Sequence, residues 1–426
     1  MRKIIFLLAA VLCLAACKND DDETPVSKTS RTVLIYMSGE NNLTVNGNYR
    51  FLYSDLQEII KGSKQLAANQ RLLVFVDSLN TNILESGKPY IMEVQNGTAK
   101  ELYRFNSDFY ASDPAKFQEI LRWTIDNAPA ESYGLVLWGH ATGWAFTHNT
   151  VDTSVAGTRA YGLDTGKDVS SYNTEKWMNI TQMAEVLSEI PKLEFIFADC
   201  CNMMCAEVGY ELRNVTKYLI GSPAEIPGEG APYDLIIPQF FKQGSGLYKG
   251  IIDTYYDYYH DYGSYSVPLS VIDTQHMEAL AQATHDILGK FTEPYPVYPS
   301  YPSLEKDSVV FYWYYDAPMM YDMRAVMKTY APTDVFEQWD KTYQQAVPYY
   351  RMAMRWETIY SNLLASFRRF KSDASQNGCV SMFIPRNTKM YFDGDFHYNL
   401  TYNKFGWNRV IDWSRFGWDD SVTAYQ

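Results

Sequence analysis

Basic residues and histidine are scarce in this sequence. Lysine and arginine number 37 against 50 aspartates and glutamates, which gives a formal net charge of −13. This excess of negative charge opposes binding to a phosphate backbone, so we expect no nucleic-acid partner. Five histidines have neither metal-ligand spacing nor a nucleophile nearby, and we interpret them as structural or surface residues: His148, His260, His276, His285 and His397.

The sequence also lacks a disulfide framework. Its six cysteines are Cys13, Cys17, Cys200, Cys201, Cys205 and Cys379. Three of these crowd into one short segment, a spacing unlike the regular pairing of small exported domains. Cys379 lies in an apolar run and is most simply a core thiol. A thiol kept free in an exported protein would suggest chemistry.

One long apolar run is present, and it lies at the N-terminus. Arg2 and Lys3 precede a stretch from Ile4 to Ala16, which is too short to span a bilayer and is followed by Cys17. The pattern resembles a bacterial lipoprotein signal, which implies that residues 1–17 are a signal peptide and that Cys17 is lipidated. A plain secretory signal that happens to end near a cysteine is the alternative.

The residues after Cys17 are charged and polar, and we expect residues 18–30 to form a disordered acidic linker. The acid run resembles the surface-export signal of Bacteroidetes lipoproteins. That resemblance implies a protein that is lipid-anchored to the outer membrane and exposed at the cell surface. No second membrane segment and no internal repeat is found in the sequence.

Five short apolar runs fit strands that are buried on both faces of a parallel sheet. They are Thr32–Tyr36, Leu72–Val76, Leu135–Trp138, Leu193–Phe197 and Tyr218–Ile220. Helical segments alternate with them, the clearest beginning with Asp113 as N-cap and Pro114 at the first position. This alternation predicts an α/β fold, a three-layer α/β/α sandwich with a mostly parallel sheet.

Reactive side chains follow two of these strands. His140 comes just after the run that ends at Trp138, and Asp199, Cys200 and Cys201 follow the run that ends at Phe197. Because chemistry collects beyond the carboxyl ends of parallel strands, we expect both groups at one edge. The imidazole of His140 would serve as acid and base for a thiolate at Cys201.

The sequence pattern predicts a helix after Cys201. Met204, Val208 and Leu212 recur at helical spacing and form an apolar stripe. A helix that begins here would place Cys201 at the positive end of its dipole, which favours a thiolate.

Four segments, in order, resemble the clostripain family of caspase-like cysteine peptidases. They are residues 32–43, the loop Gly139–Trp144, the segment from Asp199 to Leu212, and the loop Gly221–Gly230. The resemblance implies a caspase-like fold and endopeptidase activity. A weaker resemblance continues through Tyr321–Met323 and the expected late strand Gly378–Pro385.

The resemblance assigns roles to individual positions. It implies that His140 is the catalytic histidine, that Cys201 is the nucleophile, and that Asp199 lies in a pocket that selects arginine or lysine before the cut bond. Glu225 and Glu229 could add negative charge to that pocket, or be ordinary loop carboxylates.

The mechanism implied is acyl transfer from a peptide to Cys201 and then to water, with backbone N–H groups near Ala141 and Cys201 holding the oxyanion. Neither a metal nor an organic cofactor is required, and no compelling calcium-ligand cluster is found in the sequence. The expected partners are protein or peptide substrates with basic residues.

Two departures from the family pattern bear on activity. Ala141 stands where the family usually has glycine, and its Cβ could restrict the backbone that binds the oxyanion. The adjacent thiols of Cys200 and Cys201 could also oxidise, which would inactivate the nucleophile.

Several alternatives stay open at the level of sequence. The polar stretch 148–177, with Arg159, Lys167 and Lys176, could be cut during self-processing, or it could be an ordinary surface loop. Tyrosine-rich stretches at 255–259 and 311–315 fit amphipathic packing, but they also support a second hypothesis, an inactive surface lipoprotein of the same fold that binds glycans or proteins. Residues 31–275 are predicted to form the catalytic domain and residues 276–426 a C-terminal region packed on it.

Overall fold

The structure is a computed structural model, which describes residues 29–80, 85–144, 161–166, 176–260, 266–291, 309–315, 317–356, 365–366, 374–385 and 404–416. The predicted signal peptide with Cys17 and nearly all of the predicted linker lie outside the described residues, as do most of the stretch 148–177 and the residues His148, Arg159, Lys167 and His397. None of the described helices is both long and apolar enough to cross a membrane.

The strands of the described residues are β1 Arg31–Gly39, β2 Gln70–Asn80, β3 Glu85–Ser86, β4 Tyr90–Gln95, β5 Thr98–Arg104, β6 Ser132–Trp138, β7 Tyr161–Asp164, β8 Lys176–Met178, β9 Leu193–Asp199, β10 Thr216–Gly221, β11 Leu269–Asp273, β12 Phe311–Tyr315, β13 Ala317–Asp322, β14 Tyr349–Arg351, β15 Arg355–Trp356, β16 Ala365–Ser366 and β17 Ser381–Met382. All five predicted strand runs are confirmed as β1, β2, β6, β9 and β10.

The helices of the described residues are α1 Phe51–Gly62, α2 Pro114–Asn127, α3 Ile180–Ser188, α4 Ala206–Glu211, α5 Tyr233–Ile236, α6 Ser245–His260, α7 Met277–Leu288, α8 Met323–Tyr330, α9 Thr333–Ala346 and α10 Gly406–Ile411. The predicted start of α2 is confirmed: Asp113 caps it by accepting from the N–H groups of Ala115 and Lys116.

A ten-stranded sheet forms the centre of the fold, in the order β14-β11-β10-β9-β6-β1-β2-β4-β5, with β3 paired to β2. The five strands from β10 to β2 are parallel, and antiparallel strands extend the sheet on both sides. The mostly parallel sheet predicted from the alternation of strands and helices is therefore confirmed.

Helices cover both faces of this sheet. Every residue of β1 is buried, because alternate side chains enter two different cores. Val33, Ile35 and Met37 belong to one buried cluster together with residues of α1, α5 and α6, whereas Leu34 and Tyr36 belong to a second cluster that contains residues of α2, α3 and α7. The arrangement is a three-layer α/β/α sandwich.

The C-terminal part of the chain is joined to the central sheet. β14 pairs with β11, and a small sheet of β12, β13 and β17 packs nearby. The expected late strand Gly378–Pro385 is mostly wrong, since only Ser381–Met382 pair as a strand. The φ of 56° at Cys379 interrupts extended backbone before this strand begins. The division at residue 275 stays a prediction.

Most of the aromatic side chains that the structure describes in the two tyrosine-rich stretches are buried in the core. Tyr255, Tyr256 and Tyr259 on α6 are at most 8% exposed, and Phe311, Tyr312 and Trp313 are also buried. A glycan-binding surface requires exposed rings, so these residues give the binding hypothesis no support. The exposed side of α6 carries Asp253 and Asp257, and both form ion pairs with Arg351.

Candidate active site

A cleft of about 210 Å³ lies beyond the carboxyl ends of β6 and β9. Its lining brings together three of the predicted site residues, His140, Asp199 and Cys201. The other lining residues are Asn42, Leu43, Asn46, Phe51, Trp138, Gly139, Ile226, Pro227, Gly228 and Gly230. A larger cleft of about 670 Å³, between α3 and α10, is lined by neither histidine nor cysteine.

The register of the sheet explains why these residues meet. β6 and β9 are parallel, and Trp138 lies opposite Asp199. The chain after each strand therefore leaves the sheet at the same level, carrying His140 on one side and Cys201 on the other. The turn from β6 to His140 requires glycine at position 139. Its φ is 146°, and a Cβ there would lie 2.9 Å from the carbonyl oxygen of Ser38.

The imidazole of His140 is held by Asn42, which lies in the segment between β1 and α1. Nε2 of His140 is 2.7 Å from Oδ1 of Asn42. Since an amide oxygen only accepts, Nε2 carries the proton and Nδ1 of the neutral ring is left as the acceptor. Desolvation by burial lowers the pKa of His140 to about 4, so the ring is neutral at pH 7.

Cys201 is half-buried and receives a hydrogen bond at its sulfur. The backbone N–H of Ile226 donates to Sγ over 3.5 Å. A donor at this position favours the thiolate over the thiol. Two backbone hydrogen bonds connect the turn that carries Cys201 to the loop that contains Ile226. Asn202 N donates to Ala224 O at 2.9 Å, and Met204 N donates to Ser222 O at 3.0 Å.

The expectation that Cys201 lies at a helix N-terminus is wrong. α4 begins only at Ala206, with Cys205 as its N-cap, and ends at Glu211, so Leu212 belongs to a following 3₁₀ turn. The bonds of Asn202 and Met204 to the neighbouring loop hold this stretch out of helical conformation, and Cys205 is extended at φ −127° and ψ 154°.

Asp199 lies at the end of β9 and is 2% exposed. Its Oδ2 accepts from Tyr233 Oη at 2.8 Å and from Ala231 N at 3.2 Å, and its Oδ1 accepts from Tyr255 Oη at 3.2 Å. Burial raises the pKa of Asp199 to about 6 even though these three donors lower it. The carboxylate is therefore mostly ionised at neutral pH and is available to a cation in the cleft.

A second buried carboxylate, which the sequence analysis missed, lies beside Asp199. Asp55 on α1 accepts from Nε1 of Trp138 at 2.6 Å, and burial followed by the charge of Asp199 raises its pKa well above the usual value. Gly230 separates the two acids, since a Cβ there would lie 2.9 Å from Oδ2 of Asp199 and 3.5 Å from Oδ2 of Asp55. The sequence does contain a signal for this buried acid, because Asp55 lies in the helical apolar stripe formed by Leu52, Leu56 and Ile59.

The remaining predicted residues do not line the cleft. Glu225 is 5% exposed but is not part of the lining, and Glu229 is exposed, although its charge contributes to the raised pKa of Asp55. Ala141 is buried and forms a β-bridge with Tyr161. The roles assigned to these three residues stay predictions.

Comparison with known proteins decides the family. The model of the clostripain family, peptidase family C11, matches residues 35–418. The chain belongs to the clostripain family. It is therefore a cysteine protease, whose substrates are proteins or peptides.

Solved structures of clostripain-family proteases share the fold. A secreted C11 cysteine protease from Bacteroides thetaiotaomicron, in complex with an irreversible peptide inhibitor, is 26% identical, with a TM-score of 0.70 over 91% of this chain and 99% of that chain. An inactive zymogen C11 protease from Parabacteroides distasonis is 23% identical, with a TM-score of 0.69 over 90% of this chain and 99% of that chain.

A further structure, described as the secreted C11 cysteine protease iotapain from Bacteroides thetaiotaomicron, is 21% identical, with a TM-score of 0.70 over 90% of this chain and 99% of that chain. At identities of 23% and 21%, the last two likenesses show the fold alone. No curated protein matches the chain.

Proposed function

We propose that this clostripain-family protease is an exported endopeptidase that cuts after arginine or lysine by means of a Cys201 and His140 dyad. The observation that carries the proposal is the shared cleft, in which a half-buried thiol, a neutral imidazole and a buried carboxylate meet. Anchoring through a lipid on Cys17 is part of the proposal. The N-terminal sequence supports the anchor, and the description of the 26% identical structural relative as secreted supports export.

In the first chemical step, Sγ of Cys201 attacks the substrate carbonyl carbon while Nδ1 of His140 takes the thiol proton. The N–H groups of Ala141 and Cys201 would receive the developing oxyanion. His140 then passes its proton to the leaving amine, and the peptide bond breaks to leave a thioester. Water, deprotonated by His140, hydrolyses the thioester and restores the thiol.

The specificity follows from charge. A substrate arginine or lysine that enters the cleft brings a cation toward the carboxylate of Asp199, with Asp55 behind Gly230. Both acids are buried, so a bound cation would relieve their mutual repulsion and recover part of the cost of desolvation. An aspartate side chain in the same place would meet the like charge of Asp199 and be rejected.

Fluorogenic peptides with arginine, lysine, leucine or aspartate before the cut bond test this proposal with the reduced mature chain. We expect cleavage only after arginine or lysine, and its loss in Cys201→Ala and in His140→Ala. His260→Ala, which changes an exposed histidine at the end of α6, is the matched control and should keep full activity. Cleavage that survives Cys201→Ala would refute the dyad, and preference for leucine or aspartate would refute the role of Asp199.

A further inference from the structure

The ring of Phe51 forms part of the wall of the catalytic cleft, and it has no role in the chemistry of the dyad. Phe51 is the first residue of α1, and its side chain is half-buried. The ring of Tyr49 stacks on it, with 5.4 Å between the ring centroids and 5° between the two planes. Since Tyr49 is 61% exposed, two parallel rings lie at the rim of the cleft, and one of them reaches its lining.

A tight turn at residues 227–230 contacts the same ring. Gly230 N donates to Pro227 O at 3.0 Å, and both residues line the cleft. Gly228 lies against the tip of the Phe51 ring, because a Cβ there would lie 2.9 Å from Cζ and 3.1 and 3.2 Å from the two Cε atoms. A side chain at position 228 would displace the ring, so the position of Phe51 depends on glycine in this turn.

Three contacts along this loop define the order of the groups in the cleft. Ile226 N donates to Sγ of Cys201 at 3.5 Å. The contact with Phe51 comes two residues later, and after two more residues a Cβ at Gly230 would lie 2.9 Å from Oδ2 of Asp199. A substrate side chain that starts at the nucleophile and reaches this carboxylate therefore passes the aromatic ring.

An aromatic ring discriminates between the two basic side chains, whereas a carboxylate attracts both. The guanidinium of arginine is planar and weakly hydrated, so it stacks on a ring face, but the ammonium of lysine is compact and strongly hydrated. A cation over a ring is also attracted by the quadrupole of the ring, and arginine makes this contact more often than lysine. The contact with the ring therefore adds a preference that charge does not provide.

We propose that Phe51 is a specificity-determining residue, whose ring packs on the substrate side chain before the cut bond and favours arginine over lysine. The inference rests on the proposed function and deepens it, since Asp199 selects a cation and Phe51 selects which cation. Tyr49 and Gly228 hold the ring in place for this contact.

The test compares two fluorogenic peptides that differ only in having arginine or lysine before the cut bond. In the parent, kcat/KM should be higher for arginine, because this ratio measures discrimination between substrates. Phe51→Leu keeps an apolar side chain but removes the ring, and it should lower the arginine-to-lysine ratio of kcat/KM about 3-fold to 10-fold. Phe51→Tyr keeps a ring and should retain the ratio of the parent.

Two further variants control this comparison. Tyr53→Leu removes an exposed ring from α1 that does not line the cleft, so it should leave the ratio unchanged. Tyr49→Ala removes the stacked neighbour at an exposed position and should lower the ratio more weakly than Phe51→Leu, which keeps the test valid if Phe51→Leu does not fold.

Inhibition by agmatine and cadaverine measures the pocket apart from the chemistry, since these amines carry the side chains of arginine and lysine without a peptide bond. Phe51→Leu should weaken inhibition by agmatine more than inhibition by cadaverine, by a similar factor of about 3 to 10.

The outcomes separate this inference from the proposed function. A parent that cuts neither peptide would refute both. A parent that cuts after arginine, together with an unchanged arginine-to-lysine ratio in Phe51→Leu, would overturn the role of Phe51 alone. Equal losses for the two peptides in Phe51→Leu would also overturn it, because the ring would then support the cleft without selecting between the two cations.

Discussion

Asn42 is the residue most closely associated with the predicted general base. It is exposed at the cleft, and its amide oxygen fixes which ring nitrogen of His140 carries the proton. The catalytic histidines of proteases need such a partner to keep one tautomer and one orientation. Asn42 thus acts on chemistry through His140, as a positioning residue.

Asn42→Ala should lower kcat by roughly 10-fold to 100-fold with little change in KM, which is part of the roughly 10²–10⁴-fold contributed by general acid–base catalysis. Steady-state kinetics on an arginine peptide, together with NMR titration of His140, would measure it. Asn46→Ala, which removes an amide from the same cleft, is the control. Equal losses in both variants, or an unchanged His140 titration, would argue against positioning by Asn42.

The titration of Asp199 predicts how activity depends on pH. Its pKa of about 6 is raised by burial, so the carboxylate loses its charge as pH falls through 6. The kcat/KM for arginine peptides should therefore fall roughly 10-fold per pH unit below pH 6. In Asp199→Asn this acid limb should disappear and activity on arginine should be low throughout, whereas Asp257→Asn on the exposed side of α6 should behave as the parent. An acid limb that persists in Asp199→Asn would belong to another group.

At the scale of elements, α4 is tied to the C-terminal part of the chain by one buried acid. Oε1 of Glu207 accepts from Phe383 N at 2.9 Å, and Oε2 is buried without a hydrogen-bond partner among the described residues. Burial raises the pKa of Glu207 from its usual 4.5 to about 8. The folded chain therefore keeps a proton that the unfolded chain releases above about pH 4.5.

Because the folded state holds this extra proton, the neutral carboxyl of Glu207 contributes its full stabilisation of the folded state below pH 4.5. This contribution declines as pH rises to about 8. Glu207→Gln cannot ionise and keeps the acceptor for Phe383. Its free energy of unfolding should rise relative to the parent between pH 5 and pH 8, by a few kcal/mol in total. Urea unfolding at several pH values measures this difference, and a difference that stays constant with pH would contradict it.

The N-cap of α2 is a purely local feature. Asp113 accepts from Ala115 N at 2.8 Å and Lys116 N at 3.2 Å, and Pro114 fits the first helical position. Asp113→Ala should lower the free energy of unfolding by about 1 kcal/mol, whereas Asp113→Ser should keep most of it. Urea denaturation of both variants tests the cap. Equal stability of the alanine variant and the parent would show that the two hydrogen bonds contribute nothing net.

At the scale of the whole molecule, the region from residue 276 onward completes the central sheet. β14 covers the outer edge of β11, and Oγ of Ser270 donates to Cys379 O at 2.5 Å. Ser381 N donates to Met204 O at 3.0 Å, close to the turn that carries Cys201. The C-terminal region thus supports both the sheet edge and the cleft.

A truncated chain that ends at residue 275 should not fold cooperatively. It would leave the edge of β11 unpaired, expose the core beneath α7, and leave Glu207 without its partner Phe383. Near-UV circular dichroism and gel filtration, with the full mature chain as the control, would report loss of fixed packing and aggregation. A soluble monomer with a sharp unfolding transition would instead mark 31–275 as a self-sufficient domain.

The sequence by itself determined the elements that local patterns specify. The five strand runs and the capped start of α2 were predictable, because the spacing of apolar residues and helix capping are set by a few neighbouring residues. The placement of His140 and Cys201 at one edge was predictable as well, because parallel strands end on the same side of a sheet.

Only the tertiary structure decided which distant residues come together around this edge of the sheet. Asn42 and Asp55 come from separate elements, and their neighbours depend on sheet register and helix packing. The late start of α4 has the same origin, since hydrogen bonds to the loop at 222–224 outweigh the helical pattern. Such contacts are set by the fold as a whole, and they override local propensity, which is only a weak preference.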